Sequence, residues 1–237
     1  MKKHFLTFGD SLNYRNSLAR IEQEVAAMDF FDSYTISNET SLPEFIDFHR
    51  EFFSGNRTGY GFWIWKPYLV GQALEAMADG DILLYCDSGC QFNINERSLK
   101  RLQEYFDMLA ASEHATLSFE LIHKERDWTK RDCFEALGAQ VDDSRQLVGG
   151  IFLIQKCQAA TDLIAGINQL ISSRQYSLFD NSPTVAPNEP SFAEHRNDQS
   201  IFSLKRKLAG TLIIPDETWF EDWDDGADFP IHARRFR

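Results

Sequence analysis

Apolar and polar positions divide the chain into short extended runs and longer amphipathic stretches. Apolar runs that read as buried strands fall at residues 5–8, 33–36, 82–86, 115–119, 150–154 and 212–214. Between them, helical spacing of the apolar positions predicts helices over 17–28, 42–53, 67–78, 96–110, 130–137, 159–173 and 199–207. Pro67 at the start of one helix and Gly80 beyond its end suit a helix boundary. Strands alternating with helices predict an α/β sandwich, with a mostly parallel central sheet and helices on both faces. Ligands of such sheets sit beyond the carboxyl ends of the strands, where Gly9-Asp10 and Asp87-Ser88-Gly89 fall.

Residues 176–197 break this rhythm. They hold three of the seven prolines and no clear periodicity, which predicts a loop framing the active site. There is no internal repeat and no low-complexity linker. At 237 residues, 43% hydrophobic with 20 Phe, the chain is expected to form one domain over 1–237.

Composition narrows the function classes. Mean hydropathy is −0.37, and no apolar run approaches the roughly 20 residues that span a bilayer. The apolar run after Met1-Lys2-Lys3-His4 is too short for a signal-peptide core, so a cytoplasmic protein is expected. Cys86, Cys90, Cys133 and Cys157 lack C-x-x-C spacing and read as buried thiols. A formal charge of −12 argues against general nucleic-acid binding. A nucleotide substrate stays open, because a few placed cations or one metal ion neutralise a diphosphate locally. The basic stretch Arg234-Arg235-Phe236-Arg237 reads either as a solvated tail or as a contact with an anionic membrane surface.

Five segments carry candidate chemistry. Asp87 ends an apolar run and is either a ligand for a cation or a sugar hydroxyl, or simply the first residue of a turn. Gly89 would let backbone approach a ligand. His195-Arg196-Asn197-Asp198-Gln199-Ser200 packs an imidazole, a cation, amides and a carboxylate before a helix, a mixture suited to a sugar and a phosphate. Asp198 also reads as a plain N-cap. In Gly59-Tyr60-Gly61-Phe62-Trp63-Ile64-Trp65-Lys66-Pro67, Lys66 beside a helix start suits a diphosphate. Trp63 and Trp65 there are expected to share one face of an extended segment. Gly149-Gly150 permits either close passage of a substrate or a bulge. Residues 125–132 read mostly as a solvated cap, with Trp128 and Asp132 as exceptions. No G-x-S-x-G, P-loop, G-x-G-x-x-G or H-E-x-x-H occurs.

Taken in order, Gly61-Phe62-Trp63-Ile64-Trp65-Lys66-Pro67, Tyr85-Cys86-Asp87-Ser88-Gly89-Cys90, Gly149-Gly150-Ile151-Phe152-Leu153-Ile154 and His195–Ser200 resemble segments of small nucleotide-sugar glycosyltransferases of the GT-A fold. Such enzymes occur in bacterial surface-polysaccharide loci and in large DNA viruses. The chain is more distantly similar to glycogenin-like and lipopolysaccharide galactosyltransferases. The resemblance implies a single Rossmann-related domain moving a sugar from a nucleotide-diphosphate donor to a saccharide or glycolipid hydroxyl. It also implies a role in surface polysaccharide or lipopolysaccharide synthesis; peripheral contact with the inner membrane surface is the alternative reading of the basic stretch 234–237.

On that resemblance, Phe8, Gly9 and Asp10 lie near the nucleoside, and Trp65 and Lys66 near the diphosphate or donor sugar. Asp87, Ser88 and Gly89 stand where the family has Asp-x-Asp. Gly149 and Gly150 open towards the sugar, and Asp198-Gln199 matches a pair beside it. Gly89 replaces the second carboxylate of the motif. Either Mn²⁺ or Mg²⁺ is held by Asp87 and His195 with the donor's phosphates, or Lys66 and Arg196 neutralise the leaving group. Asp198 and Asp132 are the candidate bases. The alternative is a non-catalytic or degenerate domain that binds sugar nucleotides or carbohydrate.

Overall fold

A computed structural model describes residues 1–236. The chain runs β1 (Lys3–Phe8), α1 (Arg15–Met28), β2 (Ser33–Ser37), α2 (Pro43–Phe48), α3 (Arg50–Gly55), the single turn α4 (Gly59–Phe62) and α5 (Trp65–Ala76). There follow β3 (Ile82–Cys86), β4 (Gln91–Phe92), α6 (Glu96–Ala111), β5 (Thr116–Lys124), α7 (Glu125–Trp128), α8 (Arg131–Leu137) and β6 (Arg145–Gln155). The chain ends with α9 (Gln158–Ser172), α10 (Asp198–Ala209), β7 (Leu212–Pro215) and β8 (Ile231–His232). The main sheet has the order β2-β1-β3-β6-β5-β7. Only β6 is antiparallel to its neighbours, so the sheet is mostly parallel, as expected.

Register explains how one sheet serves two cores. Phe5 pairs with Leu84 and Leu84 with Leu153, while Leu6 pairs with Tyr85 and Tyr85 with Phe152. Successive side chains point to opposite faces. Phe5, Leu84 and Leu153 therefore pack with Ile21 and Val25 of α1 and with Leu102, Phe106 and Leu109 of α6. Leu6, Tyr85 and Phe152 pack on the other side with Leu69 and Val70 of α5, Ile164 and Ile167 of α9, and Phe202 of α10. These strands are buried on both faces, which is why they read as continuous apolar runs.

Three local expectations differ from the structure. The stretch 42–53 is two helices meeting at His49, whose backbone (φ −105°, ψ 19°) leaves the helical region and whose Nδ1 lies 2.5 Å from the Tyr176 hydroxyl. β5 and β6 run well past the apolar cores that marked them, and their ladder breaks between the pairs Ser118–Phe152 and Glu120–Leu147. Residues 59–63 are not extended. All five have positive φ, from 49° at Tyr60 to 79° at Gly61, and form a left-handed turn. Trp63 and Trp65 therefore do not alternate: Trp63 closes the turn and Trp65 opens α5.

The basic stretch near residue 236 is neither a frayed tail nor a uniform patch. β8 pairs with β4, the Phe236 N–H donates to the Gly89 carbonyl (2.9 Å), and Ser17 Oγ donates to the Phe236 carbonyl (2.8 Å). Arg237 lies outside the described residues. Among the described residues no helix is long and apolar enough to cross a membrane.

Candidate active site

A cavity of about 1450 Å³ opens beyond the ends of β1 and β3, bordered by the loop 176–197. This is where an open α/β sheet places its ligands. Phe8, Gly9, Asp10, Trp65, Lys66 and the Asp87-Ser88-Gly89 turn all line it, as do Gly149, Gly150, His195, Arg196, Asp198 and Gln199. Asp132 is the one expected site residue absent from its lining.

At the cavity floor lies a charge cluster in which Lys66 and Asp198 are buried and Asp87 is partly exposed. Lys66 Nζ is 2.6 Å from Asp198 Oδ2, 3.4 Å from Asp87 Oδ1 and 3.1 Å from the Gly149 carbonyl. The Tyr85 hydroxyl donates to Asp87 Oδ1 at 2.7 Å. Burial disfavours the Lys66 charge, yet the two carboxylates outweigh it and leave the ammonium harder to deprotonate than usual. Burial pushes the Asp198 carboxyl up to about 6; Lys66 opposes the rise and Asp87 adds to it. Asp198 is thus not a simple N-cap. It is the first residue of α10, after Asn197 at φ 53°, and its carboxylate faces Lys66.

The break in the β5–β6 ladder is what brings the cluster together. Along residues 148–150, several backbone groups bond to site residues or their support. Arg206 Nη2 donates to the Val148 carbonyl (2.7 Å), the Gly149 N–H donates to Gln199 Oε1 (3.0 Å), and the Asp87 N–H donates to the Gly150 carbonyl (2.8 Å). The glycines are required by proximity. A Cβ on Gly149 would lie 2.8 Å from Gln199 Cα, and one on Gly150 would lie 2.5 Å from Asp87 Oδ2. The space they free is therefore filled by the protein's own side chains.

Gln199 in turn donates to Gln146 Oε1 (2.6 Å), and Gln146 donates to the fully buried Glu125 (3.0 Å). Glu125 also accepts from Thr129, Ser203 and Lys207. Sequence reasoning missed this support, because residues 125–132 looked like a solvated cap. A carboxylate four positions before Thr129 on a short helix is the only trace of it in the sequence.

Two expected residues are held otherwise. Asp132 spends both carboxylate oxygens on the N–H groups of Val185 and Ala186, at 2.9 and 2.8 Å, which pins the 176–197 loop to α8. His195 lines the cavity, but its Nδ1 accepts from the Lys130 N–H (3.4 Å) and its Nε2 donates to the Leu178 carbonyl (3.0 Å). Burial, helped by Lys130, pushes this imidazole down to about 4. Both its nitrogens are occupied, so His195 has no lone pair to offer a cation beside Asp87.

The protein's own donors do not by themselves assemble a divalent-ion site. Gly89 removes one carboxylate and His195 is engaged. Asp87 Oδ1 already receives a hydroxyl and lies near an ammonium. Among the described residues no three His, Cys, Asp or Glu side chains converge as a ligand group.

This arrangement of sheet, crossover helices and strand-end cavity is the GT-A fold. A solved structure described as a glycosyltransferase involved in the glycosylation of the major capsid of PBCV-1 is similar with a TM-score of 0.50 and 12% identity, covering 98% of this chain and 94% of its own. Mouse xyloside xylosyltransferase 1 in its apo form matches at TM-score 0.45 and 12% identity, over 94% of this chain and 89% of its own. The galactosyltransferase LgtC in complex with donor and acceptor sugar analogues matches at TM-score 0.47 and 13% identity, over 91% and 74%. No family model and no curated protein sequence matches the chain. At 12% identity, the likeness to the first of these structures is one of fold.

Proposed function

We propose that the protein transfers a sugar from a nucleotide-diphosphate donor to a hydroxyl of a saccharide acceptor. The observation that carries this reading is the Asp87–Lys66–Asp198 cluster on the floor of a large cavity beyond the ends of β1 and β3. In the reaction the acceptor oxygen bonds to the anomeric carbon as that carbon's bond to the diphosphate oxygen breaks. The electron pair leaves with the diphosphate, and the acceptor's proton leaves to a base. Positioning and charge compensation are the work such a reaction asks of the protein.

We assign the nucleoside to the wall formed by Phe8, Gly9, Asp10 and the 59–63 turn, and the donor sugar to the floor near Asp87, Ser88, Gly149 and Gly150. We assign the acceptor's proton to Asp198, the cavity carboxyl whose affinity for a proton burial raises to about 6. Trp219, 57% exposed at the rim, is a platform for the acceptor sugar. Packing of both cores on one sheet supports reading 1–237 as one domain. Four free cysteines support a reducing, cytoplasmic setting. Surface polysaccharide or lipopolysaccharide synthesis is the setting we propose, on the resemblance alone.

Thermal-shift screening with UDP-, GDP- and dTDP-sugars tests the reading, followed by measurement of nucleoside diphosphate released from the donor that binds. No nucleotide-dependent stabilisation would overturn it. A second reading, a donor-binding domain without turnover, draws on Gly89 standing where a second carboxylate is expected. Binding without release of nucleoside diphosphate to any saccharide acceptor would favour that one.

A further inference from the structure

Four strongly basic side chains line the cavity, and three are already engaged. Lys66 sits between Asp198 and Asp87. Lys130 Nζ donates to the Ser177 and Asp180 carbonyls, at 2.9 and 2.8 Å. Arg196 pairs with Glu194 at 2.9 Å and lies 4.2 Å over the Trp128 ring. The fourth is Arg235. It is exposed, lines the cavity beside the Asp87 turn, and its guanidinium makes no hydrogen bond or ion pair with a described residue.

Its backbone, in contrast, is fixed. The strap 231–236 is tied by the β4–β8 pairing, by the Ala233 N–H to the Thr218 carbonyl (2.7 Å), and by the Phe236 N–H to the Gly89 carbonyl (2.9 Å). Arg20 supports the crossing from below. It donates to the Ser88 and Cys90 carbonyls, at 3.0 and 2.7 Å, and lies 5.4 Å from the Phe236 ring centre. The crossing is close at Gly89: a Cβ there would lie 3.2 Å from both Arg235 Cα and the Phe236 carbonyl oxygen, so the strap would have to give by a few tenths of an ångström. Arg235 itself takes φ 58°, a left-handed backbone that only a fixed surrounding maintains in a non-glycine residue.

We propose that Arg235, carried across Gly89 by the strap, binds the diphosphate of the donor. The inference rests on the glycosyltransferase reading and identifies the group that meets the leaving phosphates. Where a second carboxylate of the turn would gather a dication, this chain passes its own backbone and presents a cation. A guanidinium suits that place, because its planar fork pairs with two phosphate oxygens at once. On a chain of net charge −12, it is the cavity cation with no carboxylate already beside it.

Calorimetric titration tests this with the four nucleosides, their monophosphates and their diphosphates, in EDTA and again in Mn²⁺. The proteins are the wild type, Arg235→Gln, Arg235→Lys and Arg234→Gln. Arg234 stacks on Trp223 and bonds Gln91 away from the cavity, so it is the control for strap stability. Arg235→Gln is expected to weaken the preferred diphosphate about tenfold or more, to leave the nucleoside within about twofold, and to melt like the wild type. Arg235→Lys should recover part of the loss, since it restores charge without the fork. Gly89→Asp, which rebuilds the second carboxylate, should push the strap aside and also weaken the diphosphate in EDTA.

Equal diphosphate binding by wild type and Arg235→Gln would overturn the proposal while leaving the glycosyltransferase reading intact. So would wild-type diphosphate binding that appears only with Mn²⁺. A loss equal for nucleoside and diphosphate would also overturn it, by making Arg235 structural. If the wild type binds no nucleoside diphosphate at all, the function reading fails and the proposal falls with it.

Discussion

The Lys66 ammonium lies 2.6 Å from Asp198 Oδ2, and both side chains are buried where α5 and α10 meet the end of β3. Taking two charges out of water costs several kcal/mol each, and their attraction repays it only while both are present. Removing one partner is therefore worse than removing both. Lys66→Met should cost about 3–5 kcal/mol of stability and leave Asp198 and Asp87 uncompensated. The double variant Lys66→Met, Asp198→Asn should recover part of that loss, and on the proposed function it should transfer no sugar. Urea denaturation of the two single variants and the double variant measures the coupling, and strict additivity would disprove it.

Gly149 and Gly150 adjoin in β6, but alanine should act differently at each. At Gly149 the new methyl meets Gln199 Cα at 2.8 Å, a backbone atom at the start of α10 that cannot step aside. At Gly150 it meets Asp87 Oδ2 at 2.5 Å, the end of a side chain that can rotate. Gly149→Ala should lose about 1–3 kcal/mol of stability, the usual cost of overpacking. Gly150→Ala should keep most of its stability and lose turnover, because Asp87 is displaced. Melting temperature and activity measured together distinguish the two; a stable, active Gly150→Ala would remove Asp87 from the site.

What could be read in advance follows from burial. Strands buried on both faces, such as Ile82–Cys86, announce themselves as apolar runs, and α6 by its amphipathic face and the Asn95–Ser98 capping box. The outer half of β5, Glu120 to Lys124, is only partly buried and alternates weakly, so its extension was hidden. The Asp87 turn, Lys66 and Asp198 were legible as chemistry at element boundaries. Their contact was not, because it depends on a ladder break at Gly149-Gly150 that no local pattern encodes. Arg235 was visible only as part of a basic stretch; the strap that turns it into the cavity is a long-range contact with Gly89.

The left-handed turn at 59–63 stores strain in the wall we propose for the nucleoside. Tyr60, Phe62 and Trp63 each hold positive φ, at a cost of about 1–2 kcal/mol per residue. Aromatic packing offsets it: Tyr60 lies 5.1 Å from the Phe53 ring, and Trp65 3.9 Å from Phe8. Gly59 is the tightest point, since a Cβ there would lie 2.3 Å from the Trp63 ring while φ is +54°. Gly59→Ala should destabilise by about 2 kcal/mol, shift tryptophan emission and weaken nucleoside binding. An unchanged emission spectrum with unchanged binding would show that Trp63 has no part in the wall.

Acid should loosen the 176–197 loop first. His195 is neutral in the folded protein, pushed to about 4 by burial and Lys130, against an ordinary value near 6.5. The unfolded chain thus binds the extra proton between pH 6.5 and 4, so stability is full above 6.5 and falls as pH falls through that window. His49, also pushed to about 4, acts in the same direction from its contact with Tyr176. Asp198 acts in the opposite sense: with its folded value raised to about 6, it favours the folded state as pH drops from 6 towards 4. At pH 5 the His195 contribution is a loss of ~2 kcal/mol, larger than the partial return from Asp198. Urea midpoints should therefore fall from pH 7 to pH 5 in the wild type, and fall less in His195→Gln, which keeps a neutral side chain between Lys130 and Leu178. Proteolysis between residues 180 and 190 should rise over the same pH range in the wild type, and an equal pH dependence in the two proteins would exclude His195 as its source.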